Sequence, residues 1–431
     1  MIFAGLLFLL FAHASSAEQT AWRIDYPLGS PYYPVVLNAA ALPFLVNAQA
    51  NWVSLYAESQ GRLEPIPFQI DKVDRRGRYE FASSETEKRE EARARIVAGD
   101  EVTFMVGDLG GRWSGSPSAA EPLREVRLVD PETGVSRWLY VRIGQRRDRS
   151  GGDYVQYQTD GDFIAGHSYR VGFADDVPFL LDHLQRRQSP QQPWSDNLVD
   201  SMKVLHRGSF LHKFAFVRSH RDYQSRVVAV KDGPVRVIRR TLNNVRMILF
   251  LKTPNIEVDF VAYGNSFYVD TLLDIPFRIG SIFSGLDTRF SIDWREDVGL
   301  EGARLYTSSV AAGVAVDGEM SQEEYALNQK QDDLLLFSSR YGDMLVTLGI
   351  PEDLPVGFRN FYHDDRAVSD RPETVQGQFG NFGFLTDNWE SLNTDLHHLM
   401  FHAYLTPAVD SAAALQMLRR APSFGGQSPQ R

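Results

Sequence analysis

Between Val245 and Ile275 the sequence spells out three antiparallel strands joined by two short reversals, and this stretch limits the fold more than any other. Gly264-Asn265 is a two-residue turn of the kind that fixes hairpin register. It pairs Ala262 with Phe267, Phe260 with Val269, Val258 with Thr271 and Ile256 with Leu273, all on one apolar face. The opposite face, which this pattern leaves outside the core, sets Val261 beside Tyr268, Asp259 beside Asp270 and Glu257 beside Leu272. Like charges directly opposed at about 4.5–5.5 Å between Cβ atoms are destabilising unless something neutralises them. Upstream, Lys252-Thr253-Pro254-Asn255 reads as a four-residue turn that sets Leu251 against Ile256, Leu249 against Val258 and Met247 against Phe260. That register puts Arg246 one diagonal step from Asp259. Three readings follow: an Arg-neutralised ladder on a sheet surface, a bound cation, or two carboxylates sharing a proton in a cleft.

The ends bound the compartment. The chain opens with the apolar run MIFAGLLFLLFAHASSA, closed by Ser15-Ser16-Ala17. Its length and small final residues are those of a signal peptide, although Met1 to Ala12 contains no Lys or Arg. The expectation is export to the periplasm or beyond, with residues 1–17 removed and no later segment apolar enough to span a bilayer. The sequence has no cysteine, which excludes disulfides, thiolate nucleophiles and Cys-ligated metals. Stability must then come from packing, for which 43% hydrophobic and 12% aromatic residues are sufficient. A net charge of −10 argues against a nucleic-acid partner.

Most periodic stretches alternate with period two, as in Leu45 to Tyr56, Glu125 to Val129, Trp138 to Ile143, Tyr154 to Gln158, Leu334 to Phe337, Leu345 to Leu348 and His398 to Leu405. Asp130-Pro131-Glu132-Thr133-Gly134 predicts a hairpin from Glu125 to Ile143. Helices are expected only at Ser84 to Ile96 and Asp410 to Arg420. Charged and Gly-rich residues from Gln145 to Gly152 mark a boundary between a β-domain at 18–148 and a larger one at 149–422, with a disordered tail at 423–431.

Candidate polar sites are scattered. His398 and His402 have metal-capable spacing on a helix, but on a strand they stand about 13 Å apart at roughly 3.3 Å per residue, so no metal is expected there. They can instead line a cleft beside Asp395 or Tyr404. His167, Tyr169 and Arg170 are residue types suited to removing a proton α to a carboxylate, but on a strand Arg170 faces away from the other two. Tyr362, Asp364, Asp365 and Trp389 bring carboxylates and flat aromatic surfaces into one acidic loop region, a composition suited to sugar rings. Asp71 and Asp74 supply half of a possible Ca2+ site or, by default, an Asx-closed turn. No nucleotide-binding loop or nucleophile elbow is present in the sequence.

From about residue 150 to 420, the long antiparallel meander, acidic sheet face, late aromatic and His-rich strands and closing helix resemble the galactose-mutarotase-like β-sandwich proteins. The stretches Pro65 to Asp71 and Gly99 to Gly110 also resemble a group of bacterial exported proteins that share a Pro-Phe-Gln-Ile-Asp motif. The sandwich resemblance implies a mainly β protein: a large antiparallel β-sandwich of supersandwich type with few helices, preceded by a smaller N-terminal β-domain. It also implies a polysaccharide-facing groove on one sheet. The function expected is binding or modification of carbohydrate, as a polysaccharide lyase or glycoside-acting enzyme if catalytic, without a cofactor unless Ca2+ is used. Asp259, Asp270 and His398 are the catalytic candidates. Arg246, Tyr268, Asp364, Asp365, Trp389 and His402 are the substrate-binding ones. The alternative is a non-catalytic envelope component that meets a protein partner through a sheet face or edge.

Overall fold

The computed structural model describes residues 21–115, 122–144, 148, 150–248, 251–332, 334–351, 354–371, 373 and 375–406. The apolar opening run, the helix expected at Asp410 to Arg420 and the tail lie outside them. The protein is mainly β, built from antiparallel sheets with two short α-helices among the described residues. One of these, Glu85–Arg93, falls within the expected segment, with the Ser84 hydroxyl accepting from the Glu87 amide as its N-cap.

A ten-stranded sheet dominates. It runs from the edge strand Tyr223–Asp232 through Val237–Ile248, Ile256–Ala262, Ser266–Asp274, Leu396–Thr406, Gly342–Gly349 and Leu334–Ser339 to Arg304–Thr307 and Val314–Ala315. A five-stranded sheet packs on one of its faces, in the order Phe214–Ser219, Val199–Phe210, Phe283–Trp294, Gln378–Asp387, Gly357–Asp365. Alternation along these strands produces the sandwich core. Val258, Phe260, Phe267, Val269, Phe401 and Ala403 from the large sheet meet Phe382 and Phe384 from the smaller one, with Phe290 and Ile292 packed against them. Trp294, Phe337 and Phe382 stack in parallel across the layers, the first pair with ring centroids 4.1 Å apart. A small cavity of about 40 Å³ remains between Phe290, Phe401 and Val346.

Strands from residues 22–143 pair only with one another, in a five-stranded and a three-stranded sheet, and strands after residue 155 likewise. The hairpin expected from Glu125 to Ile143 is present, with Val129 opposite Ser136. Within Leu45 to Tyr56 the strand begins only at Val53. Two 3₁₀ turns, Pro43–Leu45 and Ala50–Trp52, and a left-handed Asn47 (φ 71°) occupy the earlier part. The N-terminal core does not close on itself. It takes in Leu334, Leu336, Leu345 and Tyr404, which project from the far face of the ten-stranded sheet. That sheet is therefore covered on both faces.

Gly383 sets the spacing of the five-stranded sheet, because a Cβ there would lie 2.0 Å from the Phe290 carbonyl oxygen and 2.7 Å from the Ser291 Cα. Gly383→Ala is expected to force these central strands apart and lower the melting temperature by roughly 5 °C or more. Thermal denaturation followed by circular dichroism measures it.

Candidate functional site

The Gly264-Asn265 hairpin has the register read from sequence: Asp259 lies opposite Asp270, Val261 opposite Tyr268 and Phe260 opposite Val269. The upstream strand does not. Val237–Ile248 pairs with Ile256–Ala262 so that Arg240 faces Asp259, and Leu242 and Asn243 face Glu257 and Ile256. Residues 251–252 turn back on Arg246 and Ile248 as a separate short ladder, with the Thr253 hydroxyl accepting from the Val245 amide. The neutralising cation is therefore Arg240, which grips Asp259 in two parallel bonds of 2.6 Å. Arg246 is exposed and reaches Asp222 instead, at 3.2 Å.

The acidic face is not a solvent surface either. Asp259 is 1% exposed and Asp270 8%. The segment from Asp71 to Phe81 of the N-terminal half lies over them. Tyr79 shares a 2.7 Å hydroxyl contact with Tyr268, the Arg240 guanidinium stacks on Phe81, and Arg78 faces Glu257. His398 joins the cluster: Nδ1 is 2.9 Å from Asp270 Oδ2, and the ring also bonds the backbone at Arg76, with Nε2 beside Gly77. Burial alone would lower the imidazole pKa. The Asp270 bond and charge, helped by the Arg76 bond, outweigh it and raise it. Burial pushes Asp259 up to about 6 despite Arg240, with the charges of Asp270 and Glu257 adding to the rise. His402, buried on the ring of Tyr268, is pushed down to about 4.

Asp259, Asp270, His398, Tyr268 and His402 thus gather on one face, but the face is a seam between two parts of the fold. Asp71, one of the two possible Ca2+ ligands, is held by Arg236 and Lys231, and Asp74 closes an Asx turn on the amides of Arg76 and Arg78.

The remaining candidates sit elsewhere. His363-Asp364-Asp365 ends a strand rather than forming a loop. Asp364 is fully buried and accepts from the amides of Asp317, Gly318 and Gly380 at 2.7–2.8 Å, bracing three chain segments. Asp365 accepts from the Ala367 amide, and Trp389 is buried with its indole N–H on Thr386.

The outer face of the five-stranded sheet carries a polar cluster that sequence reading did not find. With Phe290 and Ile292 pointing into the core, Arg289, Ser291 and Asp293 point out, and register brings Lys203 opposite Ser291 and His363 opposite Asn381. The described residues of the connection between Asp365 and Gln378 lie over this face as a strap. It is tied by Asp370 to Arg289, by Glu373 to Lys203 and by the Val375 amide to Asp200. Lys203 is 1% exposed, and its ammonium lies 2.5 Å from Asp293 and 2.9 Å from Glu373. Oxygens of Asp200, Asp293 and Glu373 come within 4.8 Å of one another, a spacing that suits a metal ion, yet the ammonium already fills the cationic position between Asp293 and Glu373. Burial raises Asp293 to about 6 and Glu373 to about 7, against the pull of Lys203.

What sets this cluster apart is what remains unbonded. Arg289 Nε, Ser291 Oγ, His363 Nε2, Asn381 Oδ1 and Glu373 Oε2 are all shielded from solvent without a hydrogen-bond partner, although Arg289, Ser291 and Asn381 are 7%, 2% and 0% exposed. Buried polar atoms are normally satisfied, and each one left alone costs about 1–3 kcal/mol. Five of them lie on this one sheet face and find no partner within the protein. Lys203, Asp293 and Glu373 lie 90 and 170 residues apart in sequence, so no local motif announces them. The one sequence signal is Arg289-Phe290-Ser291-Ile292-Asp293, whose polar alternates are too numerous for an ordinary core strand.

Two measurements separate the seam from a catalytic cluster. Arg240→Ala strands a buried carboxylate and is expected to destabilise by about 3–5 kcal/mol, whereas Arg246→Ala should cost no more than about 0.5 kcal/mol; urea denaturation compares them. The second follows from the raised pKa of His398, which makes its contribution to stability full below the unfolded value of about 6.5 and lost as pH rises through the folded value. The stability gap between the native protein and His398→Gln should therefore be widest near pH 5.5 and narrow above neutrality, as read from melting curves across pH.

No family model matches this sequence, and no curated protein does. Among solved structures it is similar to an alpha-mannosidase from Enterococcus faecalis V583, with a TM-score of 0.41 and 9% sequence identity over 89% of this chain and 47% of that one. The chain spans about half the length of that structure.

Proposed function

We propose that the protein binds a carbohydrate on the outer face of the five-stranded sheet, beneath the strap between Asp365 and Gln378. The observation that carries this reading is the set of unbonded buried groups at Arg289, Ser291, His363, Asn381 and Glu373. They include an obligate donor at Arg289, an obligate acceptor at Asn381, the Ser291 hydroxyl, which does both, and His363 and Glu373, whose roles follow their protonation. A ligand that satisfies all of them must donate and accept at closely spaced points, and a polyhydroxylated ring does so with every hydroxyl. An inorganic anion meets only the donors; a metal ion meets only the acceptors and competes with Lys203. Phe361 adds a flat apolar surface, though its face is already covered by Arg289, 4.5 Å from the ring centroid.

The same groups could move a proton. Burial raises the carboxyls of Glu373 and Asp293, on either side of one ammonium, toward the neutral range in which a carboxyl can give or take a proton. That is the complement required for cleaving a glycosidic bond or for eliminating across one. Export, expected from the apolar opening run, belongs to the same proposal.

Isothermal titration against a panel of neutral and uronic-acid oligosaccharides tests it. Binding is expected, weakened about 5–10-fold by Asn381→Ala and by Ser291→Ala, in line with the loss of one hydrogen bond of about 1 kcal/mol. Glu373→Gln should retain binding and abolish turnover of any substrate that is cleaved. Absence of binding across the panel at millimolar ligand overturns the reading.

A further inference from the structure

The far end of the sandwich combines three features that a folded core does not need. The first is an apolar tip. Strands Val199–Phe210 and Phe214–Ser219 form a hairpin at the edge of the five-stranded sheet, and Leu211, Phe214 and Val217 are 53%, 56% and 53% exposed there. These are among the most exposed large apolar side chains among the described residues. The second is backbone conformation. Leu211 and His212 both hold positive φ angles, 50° and 58°, at positions where Gly or Asn would sit without strain. A leucine kept at such a position, with its side chain in water, serves something other than local stability.

The third is charge. Residues 205–255 carry eleven Lys or Arg against two acids, Asp222 and Asp232, in a chain whose net charge is −10. Lys231, Arg236, Arg239 and Arg240 are paired with acids brought from elsewhere in the fold. Of the other seven, Arg207, Lys213, Arg221, Arg226, Arg246 and Lys252 are exposed and Arg218 is half-buried; Asp222 lies beside Arg246 and Asp287 opposite Arg207. These cations flank the hairpin. Arg218 on its outer strand bonds the Arg246 carbonyl, and Phe216 packs with Met247 and Phe283 in a small apolar cluster beneath the tip.

We propose that this hairpin docks the protein on an anionic lipid surface, with Leu211 and Phe214 entering the headgroup region and the surrounding cations meeting lipid phosphates. The shape of the tip favours a bilayer over a protein groove or a soluble polymer. An exposed apolar hairpin end with Lys213 beside Phe214 and Arg207 and Arg218 on its strands matches an interface that accepts apolar side chains to shallow depth and holds negative charge around them. A soluble polyanion uses the cations but offers nothing to Leu211. The inference is independent of the carbohydrate site, which lies on other residues.

Cosedimentation with vesicles tests it, using pure phosphatidylcholine and phosphatidylcholine with 30% phosphatidylglycerol. Binding is expected only to the second, falling at least tenfold in 0.5 M salt. Leu211→Gly relieves the backbone at that position, so the variant should melt no lower than the native protein while losing vesicle binding at least fivefold; Phe214→Ser should lose it to a similar degree. No sedimentation with the anionic vesicles overturns the proposal. So does binding that both variants leave intact. Association with soluble polygalacturonate, undiminished in Leu211→Gly and unaccompanied by vesicle binding, assigns the cations to a polyanion and overturns it as well.

Discussion

Where the ten-stranded sheet is covered on both faces, the polar groups that its strands present have to be accommodated inside the protein. One face solves this with hydrocarbon and aromatic rings, and with the buried Arg239 paired to Asp162. The other meets the N-terminal half through guanidinium groups. Arg236, with no exposed surface, bonds Asp71 and reaches Glu101 and the Tyr263 hydroxyl, with Tyr79 stacked against it. Arg240 pairs within its own sheet, with Asp259 and Glu257, and meets the N-terminal half through the ring of Phe81. Isolated buried charges are too costly to persist, so the Arg236 pairs are stable only while both halves are in place. The seam is thus a requirement for each half.

This explains why the Pro-Phe-Gln-Ile-Asp stretch has its composition. Phe68 enters the N-terminal core. Gln69 accepts from the Arg236 amide and donates to Asp71, fixing the carboxylate that receives the Arg236 side chain. A motif that reads as a possible ligand set is part of the joint between two sheets.

Legibility in the sequence followed the range of the forces involved. The Asp259–Asp270 pairing was readable because a two-residue turn and a strict alternation fix it within twenty residues. Arg246 reads as the partner in place of Arg240 because Lys252-Thr253-Pro254-Asn255 has turn composition, yet Leu251 and Lys252 already run antiparallel to Val237–Ile248, so this stretch carries the chain onward in the same direction into Ile256–Ala262 and sets a different register. Alternation shows that a strand has two faces without showing what covers either one. The hint was present in Val261, Tyr263 and Tyr268, apolar or aromatic neighbours that a purely solvated acidic face would not carry. The Lys203 cluster was out of reach, since its members come from four strands and a strap brought together only by the completed sheet.

The position of strand Leu396–Thr406 bears on how the molecule is made. It is the last strand in chain order among the described residues, yet it pairs with Ser266–Asp274 on one side and Gly342–Gly349 on the other, near the middle of the largest sheet. Until this strand docks, a folding chain holds the strands Ser266–Asp274 and Gly342–Gly349 with open edges and no partner between them. Completion by a central insertion of a strand distant in sequence makes the fold high in contact order and slow to form, and leaves the folding chain prone to aggregation until Leu396–Thr406 is in place.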